Sequence, residues 1–319
     1  MTNFYAFNGD ADGLCALQQL RLADAAPAEL ITGVKRDIEL LQRVPAKSGD
    51  CVTVLDVSLD SNRAGLMALL EAGARVRYFD HHHAGAIPEH ALLEAHINLS
   101  PEVCTSLLVD DWLGGSYRAW AAVAAFGDSL PKQGQRLAAL LGLTIEQSAI
   151  LERLGVTLNY NAYGESLADL YFDPAELAAR MLPFQSPFDF VAASPDFARL
   201  WDGYQSDMAL ARSLPPYRQH QGAMLMILPD AAWARRVIGV LANELMHRLP
   251  ESAVAILSPR TNGYLVSVRV PKHAATGADE FCRRFASGGG RRGAAGINLL
   301  PSADVDLLAE RFLAEFARG

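Results

Sequence analysis

Near the start of the chain, three short apolar runs each lead into an acid. Phe4-Tyr5-Ala6-Phe7 runs into Asn8-Gly9-Asp10-Ala11-Asp12-Gly13, Cys51 to Leu55 into Asp56, and Ala74 to Phe79 into Asp80-His81-His82. Between the first two lie Leu14, Leu17 and Leu20, and between the second and third Leu66, Leu69 and Leu70, all at helical spacing. Strands alternating with helices imply right-handed crossovers and a parallel sheet. Such sheets collect ligands outside the carboxyl ends of their strands, which is where these acids fall. The expected class is α/β.

The pattern becomes helical from about residue 107 to 182, and Pro187, Pro195, Pro215 and Pro216 mark a connector over 186–221. Beyond it, Ala223 to Leu228, Ala253 to Leu257 and Tyr264 to Val270 read as strands, with Asn262-Gly263 as a hairpin signal. The expected organisation is a catalytic domain over 1–185 and a smaller α+β domain over 222–319. With 319 residues, each domain is large enough to bury a core. A net charge of −8 argues against a broad basic surface for nucleic acid. No apolar run is long enough for a membrane span or signal peptide, so a cytoplasmic protein without membrane association is expected. Cys15, Cys51, Cys104 and Cys282 form no CxxC pair and read as core residues. The four tryptophans, Trp112 included, also read as core.

Asp10 and Asp12, two apart in a glycine-bounded loop, can converge on one point. The loop also fits a solvated N-cap of the next helix. Asp56 and Asp80 shift the balance, because buried carboxylates are costly unless paired or bound to a cation. Acids recurring at three strand ends therefore call for a shared positive partner, most simply a divalent metal. Asp128, in Phe126-Gly127-Asp128-Ser129, becomes a fourth candidate ligand in that company. Thr105 and Ser106 read as helix caps or phosphate contacts, and Leu158 to Gly164 as a break between helices, either facing a cleft or a simple interhelical loop.

Taken together, Asp-Ala-Asp-Gly after the first strand, the lone Asp56, the Asp80-His81-His82 triplet and Asp128 resemble the motifs of the DHH phosphoesterase superfamily. The second domain resembles the DHH-associated C-terminal domain, whose glycine-rich motif is matched by Ser287-Gly288-Gly289-Gly290-Arg291 through Ala294-Ala295-Gly296. The resemblance implies two Mn²⁺ ions, with Mg²⁺ or Co²⁺ as substitutes. Asp10 and Asp56 would hold one ion, and Asp12, Asp56, His81 and Asp128 the other. It implies catalytic roles for His82 and Asp80, and phosphate contacts from Ser267, Arg269, Gly288, Gly289, Gly290 and Arg291. The glycine run would form a nest of backbone N–H groups around an anion.

The activity implied is hydrolysis of short nucleotide phosphodiesters, di- or oligonucleotides, by two-metal activation of water. A phosphatase of 3′,5′-bisphosphorylated nucleotides and a non-catalytic nucleotide-binding protein are the alternatives. Oligomeric state is left open, with a homodimer as the one protein partnership considered. The sequence departs from the family pattern twice: Ala6 stands where many members carry a metal-binding histidine, and Arg291 where a histidine follows the glycines.

Overall fold

A computed structural model describes residues 1–317. The chain divides into two compact units, Met1–Asp202 and the remainder from Gly203.

The first unit is built on five parallel strands, β1 (Asn3–Phe7), β2 (Ala28–Ile31), β3 (Cys51–Leu55), β4 (Arg75–Asp80) and β5 (Leu93–Ile97), in the order β2-β1-β3-β4-β5. Side chains alternate between the faces of a strand, and the core follows that alternation. Phe4, Ala6, Val52, Val54, Val76 and Tyr78 pack with Leu66, Leu69 and Leu70 of α2 (Arg63–Glu71). Phe7, Leu55 and Phe79 belong to the other core, with α1 (Ala11–Ala23), α3 (Thr105–Trp112), α4 (Arg118–Gly127) and α6 (Ile145–Asn161). Helices α5 (Pro131–Leu140), α7 (Pro174–Met181) and α8 (Pro187–Ala193) add to that side. The edge strands β2 and β5 carried no clear sequence signal, because their residues are half-exposed and mix apolar with charged types. Trp112 corrects one expectation: it is 42% exposed and lies beneath the Arg77 guanidinium, 4.6 Å from it, rather than in the core.

Two of the four prolines in the 186–221 stretch start helices. Pro187 follows the Ser186 cap of α8 and Pro195 opens α9 (Pro195–Ser213), positions where the missing N–H costs nothing. The α9 helix carries the chain from the first unit into the second.

The second unit has a six-stranded mixed sheet, ordered β10-β11-β9-β8-β7-β6. Its elements are β6 (Arg218–His220), β7 (Ala223–Ile227), α10 (Ala232–Arg248), β8 (Ala253–Arg260), β9 (Gly263–Arg269), α11 (Ala278–Cys282), β10 (Gly288–Arg291), β11 (Ala294–Leu300) and α12 (Val305–Phe316). The expected hairpin joins β8 to β9, with Arg260 opposite Gly263. Val266, Val268, Ala295 and Ile297 meet Phe281 and Phe312 in the core of this unit. Among the described residues no helix is long and apolar enough to cross a membrane.

Candidate metal centre and active site

In the first sheet the chain passes from β1 to β2 on one side, then to β3 on the other. The crevice beyond the ends of β1 and β3 is the switch point where ligands of such sheets bind. The loop after β1 carries Asp10 and Asp12, the end of β3 carries Asp56, and β4 runs into His81.

Asp10 is the N-cap of α1: its Oδ1 accepts the N–H groups of Asp12 (3.0 Å) and Gly13 (3.2 Å). The turn is so tight that a Cβ on Gly13 would lie 2.1 Å from the Asn8 carbonyl oxygen, so only glycine fits. Asp12 points to the start of α3, where Oδ2 accepts the N–H of Thr105 and Oδ1 that of Ser106, both at 2.7 Å. The positive end of that helix holds a fully buried carboxylate. Thr105 and Ser106 thus neither cap with their own side chains nor lie open to a ligand. The Thr105 hydroxyl donates to Asp56 Oδ1 (3.1 Å) and the Ser106 hydroxyl to the Asp12 carbonyl (2.8 Å). Asp56 itself has left-handed backbone, φ +61°, a conformation that Asp tolerates better than most residues.

His81 Nδ1 lies 2.8 Å from the Val103 carbonyl, which can only accept, so Nδ1 carries a proton and Nε2 is turned toward the carboxylates. That nitrogen is 3.4 Å from Asp56 Oδ1 and 3.9 Å from Oδ2 of Asp128, the residue that closes α4. His82 Nδ1 is 2.8 Å from Asp80 Oδ1. Asp80 is completely buried, with its Oδ1 against the His82 ring.

Charges here are compensated unevenly. Burial works against ionised Asp10, but the Lys35 ammonium on Oδ2 and the N–H groups on Oδ1 outweigh it and lower its pKa. Asp56 has no such partner: burial, then the charges of Asp12, Asp10, Asp128 and Asp80, push its pKa well above the carboxylate range. Burial and Asp12 push Asp128 up to about 6, against the pull of Lys35 and His81. For His82, burial is outweighed by Asp80, and its pKa rises.

The residues fit a divalent cation. Donor atoms of Asp12, His81 and Asp128 lie within 4.8 Å of one another, as do those of Asp56, His81 and His82. Carboxylates with imidazole suit Mn²⁺ or Mg²⁺ better than a thiolate-preferring metal. Two buried oxygens, Asn8 Oδ1 and Asp80 Oδ2, have no hydrogen-bond partner, and buried acceptors are rarely left so. Of the five ligands expected from the sequence, Asp12, His81 and Asp128 converge in one group and Asp56 joins His81 in the other, while Asp10 is in hydrogen-bond reach of Asp56 but in neither group. Asp10 is instead held by Lys35, which carried no signal within the polar run Val34-Lys35-Arg36-Asp37. Lys35 also donates to Asn159 Oδ1 at 3.1 Å; Asn159 lies in the last turn of α6, not in a loop.

In the second unit, Ser267 and Arg269 share a face of β9. Arg269 donates to Ser267 Oγ (3.0 Å) and to Asn243 Oδ1 of α10 (3.2 Å). Arg269, Ala294 and Arg291 lie opposite one another across three strands, and Ser267, Gly296 and Gly289 form the next such row. Directly opposed residues project to the same face, so both arginines and Ser267 share it. Gly288 to Gly290, expected to offer a nest of backbone N–H groups, lie in the edge strand β10, which pairs with β11.

No family model matches the sequence, and a search of curated proteins finds no match. Solved structures do match, and what they share with this chain is the fold. Exonuclease RecJ bound to manganese superposes with a TM-score of 0.62 at 22% identity, covering 98% of this chain and 89% of that one. RecJ from Thermus thermophilus in complex with Mn²⁺ gives 0.66 at 22% identity over 99% of this chain, which spans only 53% of that longer protein. The pGpG-specific phosphodiesterase PggH from Vibrio cholerae gives 0.60 at 16% identity, with 98% of both chains covered.

Proposed function

We propose that this protein is a metal-dependent phosphoesterase that hydrolyses short nucleotide phosphodiesters. The observation that carries the reading is the meeting of Asp12, Asp56, His81 and Asp128, with the Asp80–His82 pair beside them, at the switch point of the parallel sheet. A divalent cation held there supplies Lewis acidity toward a phosphoryl oxygen and acidifies a water.

The chain's own residues do the rest. Val103 fixes the ring of His81, and the α3 N-terminus with Thr105 orients Asp12 and Asp56. His82, its Nδ1 held by Asp80 and its side chain 38% exposed, can give a proton from Nε2 to the leaving oxygen. In the second unit the Ser267, Arg269 and Arg291 face grips phosphate, Arg in the bidentate manner its fork allows. A short substrate is favoured by the net charge of −8 and by the full-length match to a dinucleotide phosphodiesterase rather than only to exonucleases.

The test incubates the full chain with Mn²⁺ and pGpG, or separately with a 3′,5′-bisphosphorylated nucleoside, and follows products by chromatography. Release of mononucleotides that is lost in His82→Gln and Asp80→Asn supports the reading. Turnover of the bisphosphate alone replaces the substrate class, and binding without turnover of either compound replaces catalysis by nucleotide sensing.

A further inference from the structure

The buried carboxylates of the first unit do not face a uniform shortage of positive charge. Asp12 has the N-terminus of α3, and Asp80 has His82. Asp10 has a full cation, the Lys35 ammonium on Oδ2, while its Oδ1 is taken by two backbone N–H groups. Asp56 and Asp128 have no ammonium bound to them: Asp56 meets the Thr105 hydroxyl, the His81 and His82 rings and, by a hydrogen bond, Asp10, and Asp128 meets the His81 ring. The two groups of converging donor atoms both contain His81, and neither contains Asp10.

Lys35 is held in place from several directions. Its ammonium donates to Asn159 Oδ1 at 3.1 Å as well as to Asp10, and sits 5.6 Å from the centre of the Tyr163 ring, within cation–π range. Its backbone N–H donates to the Ala162 carbonyl at 2.9 Å. The segment before it runs hard against the Asp10 loop: a Cβ on Gly9 would lie 2.3 Å from the Gly33 carbonyl oxygen. A lysine ammonium is a compact point charge with three donors. Anchored in this way, it fills the position beside Asp10 that a cation would otherwise take. A divalent ion at the same carboxylate oxygen would have to displace it against like-charge repulsion. Ala6, the neighbouring side chain on β1, is fully buried in the core and offers no ligand.

We propose that the Lys35 ammonium takes the place of one of two metal ions, so that this centre binds a single divalent cation, at its His81 end. The inference rests on the metal-dependent reading above and goes beyond it in assigning the stoichiometry and the residue that sets it.

The test is a count of bound metal without substrate. The full-length chain, stripped with chelator, is titrated with Mn²⁺ and examined by native mass spectrometry and electron paramagnetic resonance. One Mn²⁺ per chain, with the uncoupled six-line spectrum of an isolated ion, is expected for the wild type and for Lys35→Arg. In Lys35→Met the count should rise from one to two, with the broadened spectrum of an exchange-coupled pair. Two coupled ions in the wild type overturn the assignment, as does a folded Lys35→Met that still binds one. Should Lys35→Met fail to fold by circular dichroism, the wild-type count decides. Absence of any bound Mn²⁺ overturns the metal-dependent reading itself, and is distinguishable from a count of two, which overturns only the role of Lys35.

Discussion

The two units treat their charges in opposite ways. In the second, individual acids sit beside individual arginines: Arg212 with Glu244 (2.6 Å), Arg236 with Asp207 (2.8 Å), Arg284 with Glu315 (2.6 Å) and Arg283 with Asp279 (2.9 Å). Glu244 and Glu315 accordingly have lowered pKa values, the hydrogen bonds of Arg212 and Arg284 being the leading causes. At the end of the first sheet, Asp10, Asp12, Asp56, Asp80 and Asp128 share one lysine and two histidines, and the pKa values of Asp56 and Asp128 rise. Paired charges of the first kind hold a fold together modestly. Clustered carboxylates of the second kind cost stability and persist where a ligand repays them.

The largest effect should follow from relieving that crowding. Asp56→Asn is expected to cost on the order of 10³-fold in phosphodiester turnover, the loss of several kcal/mol of transition-state stabilisation. The same change should raise the stability of the metal-free protein by about 1 kcal/mol, because a buried like charge is gone. Activity assays with chelator-treated thermal melts measure both, and a metal-free variant less stable than wild type would remove the charge argument.

Next in size is the response to metal. At a Mn²⁺ concentration of about 100 times its Kd, binding to the native state alone adds about 2.7 kcal/mol. The unfolding transition of the first unit should move up by several degrees while that of the second stays in place. Calorimetry with and without chelator shows whether the two separate.

The pH dependence should differ in sign between the units. The raised pKa values of Asp56 and Asp128, the latter about 6, mean that the folded metal-free site binds protons that the unfolded chain releases. Its stability therefore rises as the pH falls from above 6 toward the unfolded carboxylate pKa, while its metal affinity drops. Glu244 and Glu315, with lowered values, contribute stability that is complete above their unfolded pKa and lost as the pH falls through the folded one. Urea midpoints for the two transitions between pH 7.5 and 4 distinguish these slopes.

The smallest expected effects come from single supports. Thr105→Val removes the hydroxyl that holds Asp56 and should weaken Mn²⁺ binding by about 10-fold. Arg284→Ala, which breaks an exposed pair, should lower stability by less than about 1 kcal/mol without touching metal affinity. Isothermal titration and denaturant melts of both variants check this contrast.

Much of the site was legible in the chain. Asp12, Asp56, His81 and Asp128 were readable because each lies at or next to the boundary of a regular element, and acids at the ends of apolar strands have few inexpensive explanations. Lys35 was not, since a lysine in a polar loop looks the same whether it is solvated or folded back onto a carboxylate. Thr105 and Ser106 were noticed, but their side-chain hydroxyls drew attention away from the backbone N–H groups that hold Asp12. The glycines of β10 gave no strand signal because glycine lacks strand propensity, and only the pairing with β11 overrides that.

By itself the sequence determined the alternation of strand and helix, the placing of acids at strand ends, and so the kind of ligand the first unit can hold. These follow from local rules: periodicity, turn chemistry and the cost of burying charge. Tertiary structure alone decided which cation each carboxylate meets, because Lys35 reaches Asp10, α3 reaches Asp12, and Asp128 reaches His81 across contacts that no local pattern records.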